Sequence, residues 1–348
     1  MGLAAGRRLP IFPPVIHLFR IPSSCVIAAA FSVSALIQAD NIKLTGKPYI
    51  DMNYGPYLSA SIEVTPGNIA YKGIAIRLDE GPGGVSKGSE FVVFETDTLR
   101  MTAAWSGDKF IDWRSIVYDG SHGTHPKLVG ERLFTNPVAP GWAKPGTDSF
   151  EDPRLRGLDK KPYGPLPREW GQWQGLGLHG NRVFLHYKIG GRHVFETPSL
   201  KKFNGIKAVV RILNFEERDS DLVMQIAKGE GKASIKTVDG KSVAAFANGL
   251  TVGIATDANG AKFVATDDGH LRLSIPAGGA LGFNLAMAKV GSVALGSFAK
   301  LLDELGEAEN LLETFQQGSS RHWTETIKTK PRRMGKPGAF VTEVITSP

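Results

Sequence analysis

The sequence predicts a mainly β protein: a large antiparallel β-sandwich with long loops and a short C-terminal helical segment. Three observations lead there. Apolar residues alternate from Ile42 to about Pro276, glycine-containing dipeptides suited to tight turns punctuate that stretch, and one segment after residue 290 switches to helical spacing.

In chain order, residues 1–39 come first. They hold Arg7, Arg8 and Arg20 and no acidic residue, and end in the apolar run "VIAAAFSVSALI", Val26 to Ile37. That run is well short of the ~20 residues that span a bilayer, and "IQA" before Asp40 suits cleavage after Ala39. The segment reads as a signal peptide, which predicts a periplasmic or secreted protein with no membrane span in the mature chain.

Residues 40–328 read as the β-sandwich domain. "GIKAVVRILNF" puts Ile206, Ala208, Val210 and Ile212 on one face and Val209 and Leu213 on the other, as a strand covered on both sides requires. Gly190-Gly191, Asp239-Gly240, Asn259-Gly260 and Asp268-Gly269 read as two-residue hairpin turns, because these residues tolerate positive φ. The last three, with Asn248-Gly249 among them, make Lys232 to Ile275 an expected antiparallel meander. If Gly190-Gly191 is a turn, Lys188 faces His193 and His186 faces Phe195, while Leu185, Tyr187 and Val194 occupy the opposite face.

The helical exception covers about 291–317. Phe298, Leu301, Leu302 and Leu305, then Ala308, Leu312 and Phe315, recur at helical spacing, with Gly306 weakening one helix or separating two. It reads as a cover over an end of the sandwich. Residues 329–348, beginning within "KTKPRR", read as a solvated tail.

Composition narrows the function. The whole chain carries 41 Lys and Arg against 34 Asp and Glu. Removing residues 1–39 takes away three positive charges and leaves +4, with no clustered basic surface, so nucleic acid is excluded as a partner. The only cysteine, Cys25, lies in the discarded segment. The mature chain therefore has no disulfide, thiol nucleophile, thiolate metal site or Cys-x-x-Cys-His attachment for a covalent haem.

Four stretches hold chemically capable residues. In "YDGSHGTHP", Asp119, His122 and His125 are an imidazole and carboxylate set that a divalent metal accepts; the competing reading is a turn whose histidines bond nearby carbonyls. In "REWGQWQGLGLHG", Trp170 and Trp173 with Gln172, and Trp142 upstream, offer aromatic faces and an amide of the kind that bind sugars; alternatively the indoles plug the sandwich. "TDSFEDPR" gathers Asp148, Glu151 and Asp152, which calcium would accept but which Arg154 can neutralise. "DEGPGGVSKGSEF" has the wrong residue order for a phosphate loop and precedes a strand. The Pro- and Gly-rich stretch 119–182 contains three of these four, and long loops of that kind tend to carry function.

As a set, "MNYGPYLSASIEV", "KGIAIRLDEGPGGVSKG", "FETDTLRMTAAWSG", "FIDWRSIVYDGSHGTHP", "NPVAPGWAKP", "FEDPRLRG" and "YGPLPREWGQWQGLGLHGNRVFLHYKIGG" resemble a domain of unknown function. The resemblance covers roughly Met52 to Trp323. That domain occurs in large exported bacterial multidomain proteins that also carry a sorbosone-dehydrogenase-like β-propeller and c-type cytochrome modules. It brings no established catalytic residues to carry over. It implies association with sugar-oxidising and cytochrome systems, while the present chain shows neither the propeller nor a haem motif and reads as a standalone or truncated form.

Two functional expectations result. One is an exported, non-catalytic module that binds carbohydrate or a partner redox protein through the loop surface of residues 119–182. The other is a metal-assisted enzyme acting on a polysaccharide or other exported substrate, centred on Asp119, His122 and His125.

Overall fold

The computed structural model describes residues 55–79, 88–107, 110–112, 125–317, 327–328 and 343–344. The expected signal peptide lies outside the described residues, and so does most of the expected tail.

The alternating pattern builds three sheets. The first contains β1 (Tyr57–Thr65), β2 (Asn68–Arg77), β3 (Glu90–Glu95), β4 (Arg100–Ser106), β5 (Ile111–Asp112), β6 (Lys127–Leu128) and β7 (Glu131–Thr135), in the order β5-β6-β1-β2-β3-β4-β7. The second contains β8 (Gly171–His179), β9 (Arg182–Ile189), β10 (Arg192–Phe203), β11 (Ile206–Phe215), β13 (Ser234–Val238), β14 (Lys241–Ala245), β15 (Leu250–Ile254) and β18 (Leu281–Lys289), in the order β13-β14-β15-β18-β11-β10-β9-β8. The third is β12 (Leu222–Lys228), β16 (Lys262–Ala265) and β17 (His270–Ile275), with β17 central. Pairing is antiparallel except between β1 and β6. Two short strands, β19 (Ile327–Lys328) and β20 (Glu343–Val344), pair separately.

All three sheets turn one face to a common core. Ile74 and Ile76 of β2, Phe94 of β3, Leu185 of β9, Leu213 of β11 and Met224 of β12 belong to it, with Leu273 of β17 and Phe283 of β18. Each such side chain, fully buried, is worth about 1.5–3 kcal/mol. The two larger sheets also bury their other faces, which explains why so few strands have a polar side. On the first sheet, Phe91, Trp105 and Phe110 stack at 4.8–5.2 Å between successive ring centres. On the second, α1 (Leu295–Leu305) lays Phe298, Leu301 and Leu302 over Val210, Val243 and Ala286. That approach is close enough that a Cβ on Gly253 would sit 2.5 Å from Leu302 Cδ1, so any side chain there would push Leu302 off the sheet face.

β11 behaves as its sequence predicts: Ala208 and Val210 lie in the outer cluster with Ile206 and Ile212 packed against it, and Val209 and Leu213 lie in the common core. The β9–β10 hairpin has the expected register, Lys188 opposite His193 and His186 opposite Phe195. Asp239-Gly240 is a two-residue turn with both φ positive, 47° and 78°.

Three expectations change. The meander ends at Ile254: Asn259-Gly260 turns the chain out of the second sheet, and β16 and β17 join β12 instead. Asp268-Gly269 does end a hairpin, but its loop is longer than two residues, with Thr266 N–H bonding His270 O. The helical segment is two helices, α1 and α2 (Leu311–Gln317), one of the two forms expected at Gly306, but α1 covers a sheet face instead of an end of the sandwich.

The described part of the stretch, residues 125–182, is also more than loops. It supplies β6, β7 and the nine-residue edge strand β8, whose three glycines conceal its strand character from propensity.

Candidate functional site

The segment between β7 and β8 wraps around the β3–β4 turn. Gly141 N–H donates to Thr98 O at 2.8 Å and Leu166 N–H to Asp97 O at 2.9 Å. Residues 141–143 add a short extension to β12, through Ala143 N–H to Val223 O and Gln225 N–H to Gly141 O.

This wrapping packs Trp142 and Trp173 against Tyr187 and joins Trp170 to Trp142, as core packing. Trp142 is 0% exposed and Trp170 5%, and the Trp170 indole N–H donates to Trp142 O at 3.1 Å. Trp142 lies 6.2 Å from Tyr187 and 5.9 Å from Phe215 between ring centres. Trp173 faces inward opposite Tyr187, half-buried, with Phe94 5.8 Å away. Stacking a sugar needs an uncovered ring face, which neither Trp142 nor Trp170 has. Gln172 is half-buried opposite Lys188. Trp142 and Trp170 are interior residues, which matches the alternative reading of indoles that plug the sandwich, since large indoles gain most by closing the gap between sheets.

Asp119 and His122 of the expected metal set lie outside the described residues. His125 is described, half-buried, its ring edge-on to Tyr71 at 6.1 Å. Among the described residues, no group of three or more His, Cys, Asp or Glu is placed to hold a metal ion. Asp152 is spoken for: Arg154 Nη2 lies 2.8 Å from its Oδ2. Burial pushes the Asp152 carboxyl up, but the Arg154 hydrogen bonds outweigh it and hold the group below the usual carboxylate range.

Beyond Arg154 the chain forms a projecting hairpin that composition alone did not single out. Gly157 N–H donates to Lys161 O, Lys160 N–H to Gly157 O and Tyr163 N–H to Leu155 O, each at 2.9 Å. Arg156 Nη1 donates to Lys160 O at 3.0 Å, and the Tyr163 hydroxyl to Asp159 Oδ2 at 2.7 Å. The base is clamped by Arg154 and rests on β2, where the Tyr163 and Tyr71 rings lie 5.2 Å apart. On this stiff support Leu155 is 85% exposed and Leu158 107%, beside the cationic side chains of Lys160, Lys161 and Arg156, of which Lys161 lies 3.8 Å from Asp159.

Two buried charge networks support the surrounding framework. In the first, Arg100 Nε donates to Glu95 Oε2 at 2.7 Å, Nη2 to Asn68 Oδ1 at 3.0 Å, and Nη1 to Asn136 O at 3.0 Å and to Pro137 O. Asn136 Nδ2 continues to Met101 O and Ile226 O, Gln225 Nε2 donates to Asn136 Oδ1, and Gln225 Oε1 lies 3.0 Å from His270 Nδ1 near the surface. In the second, Arg211 Nε donates to Glu196 Oε1 at 2.6 Å and Nη2 to Oε2 at 3.0 Å, and the Tyr187 hydroxyl donates to Oε2 at 2.8 Å.

A cleft of about 360 Å³ lies between the first and second sheets, lined among others by Glu90, Trp105, Glu131, Lys207 and Lys289. Glu90–Lys207, at 2.9 Å, and Glu131–Lys289 join the two sheets there. The Trp105 indole N–H is buried without a hydrogen-bond partner.

The profile of a protein family described as a domain of unknown function (DUF6797) matches residues 92–196. No curated protein matches the chain. The matched segment starts in β3 and ends in β10, so it holds Glu95, Arg100, the three tryptophans, the projecting hairpin and Glu196. Among the described residues no helix is long and apolar enough to cross a membrane.

Proposed function

We propose that this chain is a non-catalytic β-sandwich module of an exported protein, associated with sugar-oxidising and cytochrome systems, that docks a partner protein through the hairpin of residues 155–163. The observation that carries the reading is the near-complete exposure of Leu155 and Leu158 on a hairpin closed by four hydrogen bonds. A preformed loop gives up little conformational entropy on binding, so apolar side chains held out in this way are suited to entering a pocket. Arg156, Lys160 and Lys161 outnumber Asp159 on the same hairpin, so the partner chemistry that fits is an apolar pocket rimmed by carboxylates.

The test places a photo-crosslinking amino acid at position 158 and, as a control, at the exposed Ile235 on the edge strand β13. A partner from the source organism captured from position 158 alone is then produced pure and titrated. The double variant Leu155→Ser/Leu158→Ser should weaken its binding by about 100-fold or more, since each leucine buried contributes about 1.5–3 kcal/mol. Equal capture from both positions, or unchanged affinity in the double variant, would end the reading.

Carbohydrate binding remains the second reading, now sited at the cleft, because Trp105 offers an unpaired buried donor beside five charged side chains. A glycan array on the purified protein separates the two: binding that survives the leucine variant and is lost in Trp105→Phe supports the cleft.

A further inference from the structure

We propose that His186 and His193 form a binding site for a late divalent transition ion, with Cu²⁺ the preferred one, on the outer face of the second sheet. The β9–β10 register sets Lys188 opposite His193 and His186 opposite Phe195, which makes the two histidines diagonal neighbours on the face turned away from the common core. His186 Nε2 and His193 Nδ1 are 2.5 Å apart. The ring centres are 4.8 Å apart and the ring planes differ by only 22°. The separation of centres exceeds that of the nitrogens by about the width of one imidazole. The two nitrogens therefore lie between the centres, the rings meet edge to edge, and the two lone-pair directions share one axis.

Only an electrophile satisfies that arrangement. In its absence the two nitrogens share one proton, one donating and the other accepting. A metal ion can replace that proton. Imidazole–metal distances of about 2.0–2.1 Å would set cis nitrogens about 2.9 Å apart around a tetragonal Cu²⁺ and about 3.4 Å apart around a tetrahedral ion, an opening of about 0.4–0.9 Å that side-chain torsions can supply. Phe195 stacks on His186 at 4.4 Å and 10°, fixing the ring's plane, and both histidines are half-buried and reachable from solvent.

The surrounding charges permit a cation. Glu216 acts on His186 and accepts the His193 backbone N–H at 3.0 Å, Lys188 opposes it, and Arg192 is neutralised by Asp219. Burial, then His193 and Lys188, hold His186 below its ordinary pKa, so its lone pair is available at neutral pH. No third His, Cys, Asp or Glu converges on the pair among the described residues, so water completes the coordination. With imidazole ligands and no imposed geometry, the affinity order places Cu²⁺ above Zn²⁺ and Ni²⁺. The pair is separate in sequence from Asp119, His122 and His125 and does not depend on the docking reading.

The experiment is calorimetric titration of the purified protein with CuCl2, alongside His186→Gln and His193→Gln. The chain has eight histidines, so the criterion is the difference between proteins. One saturable Cu²⁺ site should be weakened by about tenfold or more in each single variant. The nitrogen hyperfine pattern in electron paramagnetic resonance should fall from two coupled nitrogens to one. Binding should weaken at mildly acidic pH as the imidazoles are protonated. Identical titrations and spectra in all three proteins, or no saturable binding, would overturn the proposal. Should the variants misfold, carbethoxylation of the unaltered protein decides: Cu²⁺ must protect His186 and His193 from the reagent, and modification at the same rate with and without Cu²⁺ would also overturn it.

Discussion

Glu95 with Arg100 and Glu196 with Arg211 are both sealed inside the molecule, every one of the four side chains at most 2% exposed, yet they hold different things. Arg211 is confined to neighbouring strands: its partners sit on β9 and β10, and one of its terminal nitrogens, Nη1, has no hydrogen bond. Arg100 reaches out of its strand to two backbone carbonyls at residues 136 and 137 and to Asn68, and through Asn136 and Gln225 the network ends at His270 in the third sheet. Burial lowers the Arg100 pKa despite Glu95, whereas around Arg211 the carboxylate of Glu196 outweighs burial and raises it. An ion pair between regular strands serves mainly itself. One that satisfies an irregular segment's carbonyls fixes where that segment goes, here the start of the chain that wraps the β3–β4 turn and leads to the exposed hairpin.

That difference is open to test. The largest effect belongs to Arg100→Met and Arg211→Met alone: each leaves a buried carboxylate unpaired and should cost about 3–5 kcal/mol in urea unfolding. The paired replacements should then separate the two sites. Glu196→Leu with Arg211→Met, and Tyr187→Phe to remove the stranded hydroxyl, should return to within about 1 kcal/mol of the unaltered protein, because an apolar core can replace an isolated pair. Glu95→Leu with Arg100→Met should keep most of its loss, since Pro137 O, the Thr98 hydroxyl and the Tyr71 backbone N–H lose their partner, at about 1–3 kcal/mol for each buried unsatisfied group. Equal recovery at the two sites would show that the networks are equivalent after all.

How much of this was legible in the sequence follows from the range of the interactions. The two faces of β11 and the register of β9 and β10 were legible because strand alternation and a Gly-Gly turn are local. Even so, the diagonal meeting of His186 with His193 needed the sheet's geometry, since each histidine's directly opposite partner is another residue. The departure of β16 and β17 from the meander was not legible: Asn259-Gly260 makes the same turn whether the next strand returns to its neighbour or leaves for another sheet. Trp142 and Trp170 read as platform or plug, and the burial of Trp142 is decided by Tyr187 and Phe215, distant in sequence. Leu155 and Leu158 were hidden because the hydrogen bonds that stiffen their hairpin come mostly from backbone groups. Arg100 gave no signal either, as its carbonyl partners lie 36 and 37 residues away.

The smallest expected effect tests whether the first network really extends to the surface. His270 Nδ1–H donates to Gln225 Oε1, and Asp268 lies 3.6 Å from its other nitrogen. Burial lowers the His270 pKa, Asp268 opposes that, and Lys228 and Arg272 add to it. An unfolded histidine titrates near 6.5, so between the folded value and about 6.5 the unfolded chain binds more protons and stability rises with pH. The contribution is fully present above about pH 6.5 and is lost as pH falls through the folded value. With His270 partly open to solvent, solvent screening leaves it a few tenths of a kcal/mol. His270→Gln keeps a donor for Gln225 and should flatten that part of the slope, while the same-signed contribution of His186, also lowered by burial, persists. In a double-mutant cycle, His270→Gln should couple to Arg100→Met by about 0.5 kcal/mol or more and be additive with Arg211→Met, because only Arg100 shares its chain of hydrogen bonds. Additivity with both would cut the network at Asn136 and leave His270 a local feature of the third sheet.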